Sequence, residues 1–212
     1  MPVIKQPNLH LTPRGAAMRS HILDAAADLI YAHGVDRTSV DEVLVKSKTS
    51  KSQFYHYFTD KDALVLDVIK IQTQRVLGLQ QPHLEALNSL PALQRWRDAI
   101  VKLVKGRHRA GGCPVGSLAN ELANRSEDAR TLLASSFEIW RSSIERGLRE
   151  MQKRGELAAS ANPHDLALAI LTALQGGLLL AKTMHTSRPV EVALDMSLEH
   201  VARHMTARQP RR

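Results

Sequence analysis

Five side chains able to donate hydrogen bonds to phosphates or base edges fall within six residues: Lys51, Ser52, Gln53, Tyr55 and His56. No acid occurs from Thr49 to Thr59, and a surface without carboxylates suits a polyanion such as nucleic acid. Phe54 and Phe58 stand four apart, so on a helix they share a face and anchor it while the polar side chains project the other way. Ser50 is a cap candidate with Gln53 three residues on, and Ser39 with Glu42 has the S-x-x-E spacing of a capping box. Other chemistry finds no footing. The chain has no G-x-S-x-G, no P-loop, no H-E-x-x-H and no paired Cys or His at ligand spacing, so neither an enzyme nor a metal or cofactor site is expected. His200 and His204 lie one helical turn apart, but histidines near a C-terminus are more often plain surface. Cys113 is the sole cysteine, which rules out an internal disulfide.

The elements that must position these groups read as helices throughout. Hydrophobic residues make up 43% of the 212, aromatics only 4%, as suits a core of Leu, Ala, Ile and Val between packed helices. From Pro13 to about His33, Met18, Ile22, Ala25, Ala26, Leu29 and Ile30 recur at helical spacing, and Gly34 closes the run. Ser39 opens a two-turn helix with Val40, Val43 and Leu44 inward, Ser47-Lys48-Thr49 breaks it, and a third helix follows to about Tyr57. Two short helices joined by a three-residue turn have the form of a helix-turn-helix. Asp60 opens a fourth helix that reaches about Leu79, and Pro82 and Pro91 mark a joint. Helices follow at about 92–107, from Pro114 to Leu122, from Ser126 to Gly155, from Asn162, and from Pro189. The count is nine, an all-α chain with a helix-turn-helix domain at 13–60 and a larger helical domain at 61–207.

The formal net charge of +8 favours an anionic partner, although the first 62 residues carry eight Lys/Arg against seven Asp/Glu. Residues 1–12 read as a loose arm and 208–212 as a basic tail. The N-terminus lacks the apolar stretch of a signal peptide, and no apolar run approaches the roughly 18 residues of a membrane span. A cytoplasmic protein with no membrane partner is expected.

Residues 18–68 closely resemble the tetracycline-repressor (TetR/AcrR) family of bacterial regulators. The shared features are the I-L-x-A-A opening, Gly34, the Thr38-Ser39 cap, the S-K-x-x-F-Y-H-Y-F helix and the following D-K-x-x-L. The resemblance implies a homodimer, each third helix entering a major groove of a pseudo-palindromic operator, with repression as the family's default. Carried over by position, Gln53 reads an adenine edge and Lys51 a guanine or a phosphate. Thr38, Ser39, Ser50, Tyr55 and Lys61 match positions that hold phosphates. One departure stands out: the family commonly has A-G-V in the turn where this chain has Ser47-Lys48-Thr49. Lys48 in a left-handed backbone costs about 1 kcal/mol, which its ammonium offsets if it reaches a phosphate.

The same resemblance implies a small-molecule effector in a cavity of the second domain, moving the fourth helix on binding. Trp96, Cys113, Phe137, Trp140 and Met184 are candidates to line it, with ordinary core packing as the alternative for each. Residues 111–122 resemble a G-C-P-x-G-S-L-A element of one branch of the family. They set Cys113 ahead of a helix N-terminus, where the dipole lowers a thiol pKa, and Arg107, His108 and Arg109 act in the same sense. A thiol sensor of electrophiles or oxidants is therefore an alternative, as is a helical interaction module without specific DNA binding. For the dimer surface the helices opened by Asn162 and Pro189 are expected, through Leu166, Ile170, Leu174, Gly177, Ala181 and Met196, as a four-helix bundle across the two-fold axis.

Overall fold

A computed structural model of the chain describes residues 11–106 and 112–206. The arm at 1–10, the stretch 107–111 with Arg107, His108 and Arg109, and the tail at 207–212 lie outside the described residues. The chain divides into two compact units, 1–71 and 72–212, and the described residues form ten helices without a named strand.

The first unit holds α1 (Pro13–His33), α2 (Val40–Ser47), α3 (Lys51–Tyr57) and the start of α4 (Lys61–Gly78). Each helix start carries its own stop on fraying. Thr12 accepts a hydrogen bond from the Gly15 N–H at 3.2 Å. Ser39 and Glu42 exchange theirs as a capping box, and Asp60 accepts from the Ala63 N–H at 2.8 Å. Gly34 ends α1 with φ 85°, its N–H on the Ile30 carbonyl. The core of the unit is Ile22, Ala26, Val43, Phe54, Phe58, Leu64, Val68 and Ile69, all buried.

The second unit takes the rest of α4, then α5 (Gln81–Leu84), α6 (Leu90–Gly106), α7 (Pro114–Leu122), α8 (Glu127–Lys153), α9 (Pro163–Met184) and α10 (Arg188–Arg203). The tenth helix is α5, a single turn where the prolines suggest only a joint. Pro82 falls in its first turn, where the missing N–H costs nothing. Pro91 likewise opens α6 at Leu90, two residues before the expected start. Helix α9 packs on both α8 and α10, and α8 carries a buried row from Leu133 through Trp140, Ile144 and Leu148 to Met151.

Thr172 and Gln175 break the apolar runs of α9, although an 18-residue window has mean hydropathy 1.6, long and apolar enough by composition alone to cross a membrane. One sequence expectation fails in α9: Leu166, Ile170, Leu174, Gly177 and Ala181, expected at a dimer surface, are buried inside the protomer. A Cβ at Gly177 would stand 3.0 Å from Val190 Cα and 3.2 Å from the Pro189 carbonyl oxygen. The small residue thus lets α10 approach within the chain. Of the six only Met196, 66% exposed, remains available.

Candidate nucleic-acid interface and ligand cavity

Helix α3 is held by its two phenylalanines. Phe54 and Phe58 are 0% and 2% exposed, with ring centroids 5.4 Å apart, and the Arg19 guanidinium lies 5.2 Å over the Phe58 ring while pairing with Asp67. That cation is drawn into the unit and leaves α3's outer face to Lys51, Ser52, Gln53, Tyr55 and His56, all exposed. The face is apolar beneath, polar above, and without an acid of its own.

The start of α3 fixes where those groups stand. Ser50 accepts from the Gln53 N–H at 3.2 Å, and the Gln53 Oε1 accepts from the Ser50 N–H at 2.7 Å. The carboxamide of Gln53 is thereby turned back on the helix, leaving its Nε2 as the outward group. A bidentate adenine contact needs both atoms, so the expectation for Gln53 narrows to a donor. Thr38 is corrected outright: it is 3% exposed and its hydroxyl donates to the Gly34 carbonyl at 2.8 Å, which ties the α1–α2 connection and leaves nothing for a phosphate. Ser39 is exposed, but its hydroxyl and N–H both donate to Glu42. Those bonds hold the Glu42 carboxyl below the usual range, the Ser39 N–H contributing most.

The turn between α2 and α3 explains the unusual Lys48. Thr49 N–H reaches the Leu44 carbonyl at 3.1 Å and Lys48 N–H the Val45 carbonyl at 3.3 Å, the two bonds of a Schellman motif. The residue between them must be left-handed, and Lys48 has φ 52° and ψ 38°. Ser47, buried, bonds the Val43 carbonyl at 2.7 Å and the Thr49 hydroxyl at 2.7 Å. A hydroxyl pair therefore pins a turn in which the usual glycine is absent. The Lys48 side chain is exposed, as is Ser50, and Lys61 is half-buried at the first turn of α4.

In the second unit a cavity with about 480 Å³ of empty space, its mouth included, lies among α4, α6, α7, α8 and α9. Only about 40 Å³ of that is deep enough to centre a water molecule. Val76, Leu79, Ile100, Leu103, Val104, Pro114, Leu174 and Leu178 make it apolar; Gln80, Cys113 and Trp140 add the polar atoms. Cys113 is 6% exposed at the N-cap of α7. Of the residues expected to line a cavity, Cys113 and Trp140 do so. Trp96 stands one layer behind, fully buried, its Nε1 donating to Gln80 Oε1 at 3.0 Å while Gln80 Nε2 donates to the Val76 carbonyl at 2.9 Å. Phe137 is half-buried and off the lining, and Met184 is corrected: at the end of α9 it is 61% exposed. Gln80 escaped the sequence reading because a glutamine at a helix end looks like any surface amide; its 4% exposure is what marks it.

An apolar outer face also escaped it. Leu168, Leu179 and Leu180 of α9 are 46%, 65% and 50% exposed, as are Met184 at 61% and Met196 of α10 at 66%. Large exposed apolar patches mark interaction surfaces. His200 and His204 stack edge-on at 5.0 Å, and no cluster of three metal-ligating side chains occurs among the described residues.

Comparison with known proteins agrees in both units. Residues 22–68 match the domain described as bacterial regulatory proteins, tetR family, and residues 89–197 match the tetracyclin repressor-like C-terminal domain. The transcriptional regulator AcuR of Cereibacter sphaeroides is 32% identical over 189 residues, covering 85% of each chain. An HTH-type transcriptional regulator from the lacX 3′ region of Lactococcus lactis subsp. lactis is 32% identical over 185 residues, 84% of this chain and 90% of that one. The crystal structure of the regulatory protein TetR from Rhodobacter sphaeroides superposes with a TM-score of 0.77 at 25% identity, covering 89% of this chain and 99% of the other.

Proposed function

Because this chain belongs to the TetR family of bacterial transcriptional regulators and carries that family's DNA-binding domain at its N-terminus, we propose that it is a repressor released from DNA by a small molecule. The acid-free outer face of α3 carries this reading. As a homodimer the protein sets two such helices, one turn of DNA apart, into the major grooves of a pseudo-palindromic operator. Lys51 and the Nε2 of Gln53 meet base edges, while Lys48, Ser50, Ser52, Tyr55, His56 and Lys61 contact the backbone and fix the register. The dimer forms through the outer apolar face of α9 with Met196 of α10, rather than through the buried stripe.

Its effector occupies the cavity of the second unit. Val76, in the last turn of α4, and Leu79 just beyond it belong to that cavity's wall, so an occupant that presses on them moves the helix whose first turns build the DNA-binding unit. The protein acts in the cytoplasm, where the chromosome is. Neither other reading is favoured: the relatives are named as transcriptional regulators, against a module without DNA binding, and Cys113 is walled in at 6% exposure, against a thiol open to bulk oxidant.

The test is retention of fragmented genomic DNA at about 150 mM salt, where non-specific phosphate binding is weak. Enrichment of a few intergenic pseudo-palindromes is expected. Uniform retention, or none, sinks the repressor reading.

A further inference from the structure

The cavity of the second unit is apolar but not indifferent to its occupant. Trp140, 2% exposed, forms part of its wall, and its Nε1 is buried without an acceptor. Gln175 lies on α9 one residue from the lining Leu174, and its Nε2 too is buried without an acceptor. Its carboxamide reaches toward the cavity's Cys113: a Cβ on Gly116 would stand 2.8 Å from Gln175 Oε1, 3.3 Å from Cys113 Cβ and 3.9 Å from Cys113 Sγ. One sealed N–H donor thus belongs to a residue of the wall, and a second, on a residue off the lining, lies near its Cys113 end. A buried donor without a partner is costly, and native proteins keep few. Trp96 shows the contrast, since the same indole group one layer back is matched by Gln80.

Among the described residues the lining carries no charged side chain, so a buried carboxylate or ammonium would find no partner among them, the arrangement proteins avoid most. A second hollow, lined also by Gln72, Arg75 and Gly78, shares Val76, Leu79 and Pro114 with the cavity, and Leu79 there is 53% exposed.

We propose that this cavity takes a small, uncharged, mostly apolar molecule bearing a hydrogen-bond-accepting oxygen, a carbonyl above all, which the indole N–H of Trp140 and the carboxamide N–H of Gln175 meet. The proposal rests on the effector reading for its biological meaning, but its test needs no DNA. A failure here with operator binding intact removes only the ligand chemistry.

The chain has two tryptophans, so the ¹⁵N-labelled full-length protein gives two indole N–H signals, assigned with Trp140→Phe or, should that variant not fold, with Trp96→Phe. Three probes of equal heavy-atom count are titrated to millimolar levels: butanone, its alkene isostere 2-methyl-1-butene, and propanoate. Butanone is expected to saturate and to move the Trp140 indole proton downfield, as acceptance of that proton requires. The alkene binds without the downfield shift, and propanoate binds at least about tenfold more weakly than butanone. Trp140→Phe weakens butanone about tenfold, the effect of one net hydrogen bond, and leaves the alkene within about twofold. Equal shifts and affinities for butanone and alkene would overturn the role of the donors. Propanoate binding tighter than butanone would overturn the uncharged class, and no binding by any probe would overturn the site itself.

Discussion

Replacing Lys48 by glycine separates what its backbone does from what its side chain does. At φ 52° and ψ 38° a non-glycine residue carries about 1–2 kcal/mol of strain. Glycine removes that strain but adds about 0.4–1 kcal/mol of unfolded-state entropy. The net expectation is a DNA-binding unit about 0.5–1 kcal/mol more stable, because the Schellman bonds and the Ser47–Thr49 hydroxyl pair are kept. DNA binding should move the opposite way. Losing one phosphate contact per protomer lowers the slope of log K against log salt by about 0.9, hence about 1.8 per dimer, or about 30-fold in affinity at 0.15 M salt. Urea denaturation reads the first effect, and fluorescence anisotropy on an operator fragment across a salt series reads the second. A Lys48→Gly protein that is less stable than wild type refutes the left-handed turn. An unchanged salt slope refutes the phosphate contact.

Three further outcomes follow from the geometry. Gly147→Ala would set a Cβ 2.1 Å from the Leu87 carbonyl oxygen and 2.6 Å from its carbon, backbone atoms that cannot rotate aside, so a loss of about 3 kcal/mol is expected in urea denaturation; a loss under about 1 kcal/mol contradicts the close approach. Arg141 donates to Glu138 at 2.9 Å and holds that carboxyl at about 2 against an ordinary 4.5. A depressed carboxyl stabilises the fold above its ordinary range and ceases to as pH falls toward 2, so the gap in thermal midpoint between wild type and Glu138→Gln should hold at pH 6 and close by pH 2, and a gap that is constant with pH argues against the pair. The double change Leu179→Glu and Met196→Glu should give folded monomers in sedimentation at micromolar concentration, since both side chains are over 60% exposed in the protomer; a persistent dimer puts the interface elsewhere.

Local signals made the first unit readable from sequence. Ser39 with Glu42, Ser50 with Gln53, Gly34, and the Phe54–Phe58 pair are contacts within four residues, and the structure has each of them as spacing implies. What sequence misjudged there is which polar atoms are already satisfied. Thr38 and Gln53 are the right residue types for DNA, but their hydrogen bonds to Gly34 and Ser50 appear only once the chain is folded. In the second unit the apolar period locates α8 and α9 but cannot say which face of α9 turns inward, because Leu174 and Leu178 on one side and Leu179 and Leu180 on the other are chemically alike. The stripe expected at a dimer surface is therefore the one that packs inside the protomer. Trp140 and Cys113 reach the cavity from two successive helices whose packing no local spacing fixes, and an aromatic at core spacing does not announce whether its nitrogen has a partner.

The central claim, that α3 presents an acid-free face to specific DNA, is tested most directly by changing that face without touching its anchors. Lys51→Ala with Tyr55→Ala alters two exposed side chains and leaves Phe54, Phe58 and the Ser50–Gln53 box in place. Binding to a fragment enriched from the genome is compared with wild type at about 0.15 M salt, with helix content and thermal midpoint as controls for folding. The expected result is loss of specific binding, at least about 100-fold, by a protein whose melting is unchanged within about 0.5 kcal/mol. A variant that folds normally and still binds the fragment as tightly as wild type would contradict the account.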